Sequence, residues 1–317
     1  MQETPIAFVT PTDIPAWKRR LVYSPVARIV VFLALFIALS FGAGAVLHVF
    51  GWSKNSPALQ QAMAQFVIRA LIPLAAYLIL VRWIERRRIS ELAPSTLVPQ
   101  GFLGVVFGLV LSSLIVGLLY VVGSYHVIGT DPNAPWVQAL LVVGLGAGIG
   151  EEIMFRGVLF RVVEEGFGTW AALVVSALFF GAVHMGNPGA TLWSSAAIVI
   201  EAGLLFGILY HVSRSLPLCM GLHAAWNFAQ GTIYGIPVSG TAAEGWLVSR
   251  RTGPDWLSGG VFGAEASVVA LALCSVCTAV LLVIALRRRT VVPFHLRVQT
   301  RLATEAVIWV DGPAGDA

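Results

Sequence analysis

Long apolar runs alternate with short polar ones along the whole chain. The runs fall near 28–49, 60–83, 101–123, 137–162, 169–187, 192–212, 215–231 and 263–286. Most approach or reach the roughly 20 residues that carry an α-helix across a hydrocarbon core. The pattern predicts an all-α, polytopic membrane protein with about eight transmembrane helices. None of the runs shows the short apolar–polar alternation of a membrane β-barrel strand. The 27 mostly polar residues before the first run contain no short apolar core followed by a small-residue cleavage site, so they read as a cytoplasmic segment rather than a signal peptide. The expected organisation is therefore 1–27 cytoplasmic, 28–134 helices one to three, 135–231 helices four to seven, 232–262 an outer loop, 263–286 helix eight, and 287–317 a cytoplasmic tail. The loop at 232–261 is rich in Gly and Ser. A solvated outer loop is the simpler reading of it, and a lid over a site is the alternative.

Composition agrees with this class. The chain is 57% hydrophobic and 11% charged, with a mean hydropathy of +0.83, where a soluble domain carries about 25% charged residues. The basic residues then set an orientation. Fifteen lie in the N-terminal segment, in the second, fourth and sixth linkers and in the tail, among them Arg28, Arg87, Arg161, Arg214, Arg297 and Arg301; only Lys54, Arg250 and Arg251 lie in the opposite set. Both termini are expected in the cytoplasm by the positive-inside rule, as for a multi-pass plasma-membrane protein of a bacterial cell. The formal charge of +4 is the sum of this flank pattern and gives no reason to expect nucleic-acid binding. Cys219, Cys274 and Cys277 all fall in predicted spans, and the C-x-x-C of LCSVC inside an apolar helix reads as packing rather than a redox or metal pair.

Against this background the stretch GEEIMFRG at 150–157 stands out. A charge at the bilayer centre costs roughly 2.5–3.5 kcal/mol on insertion scales. Glu152 and Arg156 are an i, i+4 pair that can neutralise each other on one helix face. Glu151 is one step round and is left to face something else. A solvated helix end is the competing reading. However, GVLFRVVEEG continues the helix about ten residues further, some 15–20 Å of additional depth at 1.5 Å per residue. Two more spans carry polar groups: FFGAVH places His184 on the face of Phe180, and GLHAAWNF places His223 and Asn227 on one face. Glutamate, two imidazoles and an amide from three spans can converge on an intramembrane cavity. Peptide hydrolysis needs a base for water, an oxyanion donor and an acid for the leaving amine. Two histidines and a carboxylate are also a common catalytic zinc set. The preceding GLGAGIG, with Gly144, Gly146, Gly148 and Gly150, does not fit a dinucleotide fingerprint and reads as a surface for close helix approach in lipid. Arg69 and Glu201 are expected to be buried charges, paired with each other or with Glu201 lining the cavity. His48, His126, His211 and His295 are expected to face water or headgroups.

EEIMFR, FGAVH and HAAWN fit E-E-x-x-x-R, F-x-x-x-H and H-x-x-x-N, in that order and all on apolar spans. In this set the chain resembles the CPBP family of intramembrane proteases, which includes CAAX prenyl protease 2 and bacterial members tied to bacteriocin processing or self-immunity. The resemblance covers residues 135–231. It implies that Glu151 and His184 activate a water. It also implies that His223 and Asn227 stabilise the oxyanion, or that His184, His223 and Glu151 hold a zinc ion, with Glu152 and Arg156 in support. The expected partners are membrane lipid and a hydrophobic or lipidated peptide substrate. A non-catalytic immunity or scaffolding protein of the same fold and a proton-coupled transporter are the alternatives.

Overall fold

A computed structural model describes residues 14–294. The expectations for His295, Arg297, Arg301 and the rest of the tail lie outside the described residues.

All eight predicted spans are helical. A short helix, α1 (Ala16–Leu21), leads into α2 (Pro25–Val49), α3 (Ala58–Glu85) and α4 (Pro94–Val121). Then come β1 (Tyr125–Thr130), α5 (Trp136–Phe167), α6 (Thr169–His184), α7 (Leu192–Ser213), α8 (216–233), β2 (Leu247–Arg251) and α9 (Val268–Arg288). Six of the helices, α2, α3, α4, α5, α7 and α9, are long and apolar enough to cross a membrane by length and composition. Helix α6 is shorter, at 16 residues, and α8 is not among the six. The chain is thus a multi-pass membrane protein with six clear spans and two further helices that carry polar side chains. Short π-helical turns interrupt α5 at Ile153–Phe160, α7 at Val199–Leu204 and α8 at Ala229–Ile233. Similar turns lie in α3 at Val67–Leu71 and Leu80–Glu85 and earlier in α5 at Leu140–Gly146, so they are spread through the helix core.

Local sequence sets the helix starts. Ser24 and Ser267 cap α2 and α9 by accepting the amides of Ala27 and Ala270, and Ser215 caps α8 through Leu218 N. Helix α6 begins after Gly168, whose φ of +84° suits glycine and lets the chain reverse after one residue.

At the C-terminal end of α5 the charges are paired rather than solvated. Arg28 and Arg161 both bind Glu85 (3.0 and 2.9 Å) and Glu165 (2.5 and 3.0 Å). Arg87 joins Glu85 to Glu91, and the Tyr77 hydroxyl also donates to Glu91. A second cluster centres on Glu164, which takes Arg214 at 2.5 Å, His211 Nδ1 at 2.7 Å and Thr169 Oγ1 at 2.9 Å. Four residues read as basic flanks, Arg28, Arg87, Arg161 and Arg214, are therefore clasps between helices. The expectation that His211 faces water is also corrected. It is buried, and its Nε2 lies 3.1 Å from Thr290 Oγ1, because Glu164 needs partners where α5 ends.

On the opposite face β1 and β2 pair antiparallel with a bulge between Val127 and Gly129. The loop at 232–261 is not a simple solvated loop. Ile236 and Val238 are buried in it, Gln230 donates to the Pro237 carbonyl, and Asn187, after α6, donates to Ser239 O. The loop is folded onto the ends of α6 and α8.

Candidate active site in the helix core

Helix α5 carries Glu151 to mid-length and continues to Phe167, so Glu151 is not at a helix end. The glycines before it explain how neighbouring helices reach it. A Cβ on Gly150 would lie 1.9 Å from the Arg69 carbonyl oxygen of α3, and one on Gly148 would lie 2.8 Å from the Ala224 amide of α8. GLGAGIG is thus the surface on which α3 and α8 close against α5, and α8 brings His223 and Asn227 with it.

The six candidate residues meet. Glu152 and Arg156 are fully buried and joined at 3.1 Å. Arg156 also donates to the Ala202 carbonyl of α7 at 2.9 Å, and its guanidinium lies 4.6 Å from the centre of the Phe180 ring and 5.1 Å from that of Phe206. Glu152 Oε1 accepts from His223 Nδ1 at 2.8 Å. His184 Nδ1 donates to the Phe180 carbonyl at 2.7 Å. A carbonyl and a carboxylate only accept, so both imidazoles carry their proton on Nδ1 and, when neutral, present a bare Nε2. These two Nε2 atoms stand 3.9 Å (His184) and 4.0 Å (His223) from the same oxygen, Glu151 Oε2. That oxygen is buried and has no hydrogen-bond partner. Asn227, one turn beyond His223, donates through Nδ2 to the Val143 carbonyl at 3.2 Å, which leaves its second N–H free.

Three acceptor atoms thus lie together, each ring nitrogen about 4 Å from the carboxylate oxygen. A neutral water has two protons and satisfies only two of them. A cation, or protonation of one ring, satisfies the arrangement. The donor types and their outer hydrogen bonds are those of a histidine-rich metal site. Their spacing is wider: atoms bound to zinc at about 2.0 Å in a tetrahedron sit about 3.3 Å apart, and among the described residues no three His, Cys, Asp or Glu side chains already stand as a metal-ligating group. By donor chemistry His184, His223 and Glu151 are the residues that would hold a zinc ion.

A cavity adjoins the two rings. It is lined by His184, His223, Asn227, Glu201, Glu265 and Ser239, with Phe180, Phe206 and Trp226 among its apolar walls. Glu201 therefore lines the cavity. It is not paired with Arg69, which is exposed on α3 and forms no ion pair among the described residues. Glu265 and Ser239 are site residues that the sequence reading missed. Glu265 lies in a 3₁₀ turn just before α9 and accepts at Oε2 from Ser239 N (2.6 Å) and Oγ (2.8 Å). Burial pushes its carboxyl above the usual range, against the Ser239 hydrogen bonds and the nearby histidines, which pull it down. The available signal was an acidic residue at the head of an apolar run on the face with few charges. The three cysteines are free, and Cys219 and Cys274 are buried in the packing.

Residues 133–229 match the family model described as type II CAAX prenyl endopeptidase, Rce1-like. The match spans α5 to α8 and includes all six candidate residues. No curated protein matches the chain.

Proposed function

We propose, from a core of the type II CAAX prenyl endopeptidase Rce1-like family, that this protein is an intramembrane metalloendopeptidase that cuts hydrophobic or lipidated peptides. The observation that carries the reading is the convergence of His184 Nε2 and His223 Nε2 on the unpartnered Glu151 Oε2. A zinc ion held by His184, His223 and Glu151 would lower the pKa of a bound water and polarise the scissile carbonyl.

The side chains divide the remaining work. Glu151, through the oxygen that does not face the two rings, takes a proton from the attacking water as the water oxygen bonds to the scissile carbon. The carbonyl oxygen gains negative charge and meets the free N–H of Asn227. When the C–N bond breaks, the proton on Glu151 passes to the leaving amine. Glu152, held by Arg156, fixes the ring of His223 and its tautomer, and the Phe180 carbonyl does the same for His184. The apolar walls keep bulk water away, which strengthens each of these interactions.

Metal analysis of the purified protein, beside cleavage assays after prolonged treatment with a strong chelator, tests the metal. The expected result is about one zinc per chain in the wild type, loss of zinc from His184→Ala and His223→Ala, and loss of activity that stoichiometric zinc restores. Full activity in protein shown to hold no metal would leave Glu151 and the two rings acting on water alone.

A further inference from the structure

Among the described residues the buried carboxylates follow a rule with few exceptions. Glu85, Glu91, Glu164 and Glu165 each bind at least one arginine, and Glu152 binds Arg156 and His223. Glu151 is the proposed base. Glu201 and Glu265 remain. They are 2% and 5% exposed, they come from different elements, α7 and the turn before α9, and they line one cavity beside His184, His223 and Asn227. Among the described residues no arginine or lysine forms an ion pair with either one. Glu201 Oε2 is buried without a hydrogen-bond partner. Glu265 is fixed through Oε2 by Ser239, which leaves Oε1 uncommitted. Buried carboxylates that no arginine or lysine neutralises are costly, and two of them lining one cavity, one with an unpartnered oxygen, are placed to meet a cationic ligand.

We propose that Glu201 and Glu265 form an acidic subsite that receives a primary ammonium group of the peptide substrate. This rests on the reading of the adjoining residues as a peptidase site. Size and geometry select the ligand. The space open to the centre of a water-sized group is ≈ 20 Å³, enough for about one such group. An ammonium head is of that size, whereas a planar guanidinium is larger and needs a fork of acceptors. An ammonium also has three donors to spend on Glu201 Oε2, Glu265 Oε1 and one further acceptor. The group can come from a lysine side chain or from a free N-terminus near the scissile bond. In either case the subsite anchors the peptide within reach of Glu151.

The test is binding to the full-length Glu151→Gln protein in lipid nanodiscs, which does not depend on cleavage. The probes are apolar hexapeptide amides with lysine placed at each position in turn, their norleucine counterparts, and each peptide with a free or an acetylated N-terminus. The expected result is at least about tenfold tighter binding of one lysine position over norleucine, or of the free over the acetylated terminus. That preference should fall to about twofold or less when Glu201→Gln or Glu265→Gln is added in protein that stays monodisperse. The lysine and terminus arms identify the source of the ammonium. Equal binding of charged and neutral peptides to the Glu151→Gln protein would overturn the proposal, since it would mean the two carboxyls share a proton and stay neutral. A preference that survives both substitutions would overturn it as well. Neither result touches the peptidase reading, which the cleavage assay of Glu151→Gln tests separately.

Discussion

At the scale of single residues, the two adjacent glutamates have opposite surroundings, and this predicts opposite consequences of changing them. Glu151 is partly exposed and faces two ring nitrogens, whereas Glu152 is fully buried and binds both Arg156 and His223 through Oε1. Glu151→Gln keeps the shape and removes the base, so cleavage should fall by about 10²–10⁴-fold with thermal unfolding in detergent unchanged. Arg156→Ala leaves Glu152 buried without its cation and should cost about 3–5 kcal/mol of stability as well as activity. Wild-type cleavage by Glu151→Gln would remove it from the base role. A third residue gives a pH signature away from the membrane. Burial pushes the Glu91 carboxyl up, but the hydrogen bond and charge of Arg87 outweigh it, and the result is about 2 against an ordinary 4.5. A lowered carboxyl stabilises the fold above its unfolded value, and that share is lost as pH falls from about 4.5 towards 2. Glu91→Gln should flatten the acid-unfolding curve in that window. An unchanged curve would mean that the pair contributes nothing.

At the scale of elements, the site depends on how closely α3 and α8 approach α5. Gly150→Ala would put a methyl against the Arg69 carbonyl, and Gly148→Ala would put one against the amide of Ala224. Neither contact is with a flexible side-chain end, so helices must part. Each should cost about 1–3 kcal/mol, and Gly148→Ala should also lose activity, because it displaces the helix that carries His223. Gly117→Ala in α4, where a Cβ meets nothing within 4 Å, is the control and should be neutral or slightly stabilising. Equal thermal stability of all three proteins would contradict this account of the packing. The same elements show what the sequence could reveal. EEIMFR, FGAVH and HAAWN were legible because three polar groups recur at helical spacing inside apolar runs, where each carries a cost. Glu265 and Ser239 were not legible, because their meeting depends on how the loop after α8 folds back, and no local period encodes that. Arg28 and Arg161 looked like flank charges for a similar reason. Their partners, Glu85 and Glu165, sit at helix ends that only tertiary packing brings together.

At the scale of the whole molecule, the basic residues gathered at one set of helix ends predict that both termini share the cytoplasmic side. Single cysteines in a cysteine-free protein test this. Ser53→Cys and Glu244→Cys, both exposed, should react with an impermeant thiol reagent from outside intact cells. Arg88→Cys, also exposed, should react only after the membrane is opened. Labelling of Arg88→Cys from outside would invert the topology or change the number of crossings. The central claim is that this helix core hydrolyses peptide bonds with Glu151 as the base. The most direct measurement compares the protein termini in membranes of the native cells carrying either the wild type or Glu151→Gln at equal levels. The account predicts new termini, within or beside apolar segments, that arise with the wild type and are absent with Glu151→Gln; identical sets of termini in the two membranes would contradict it.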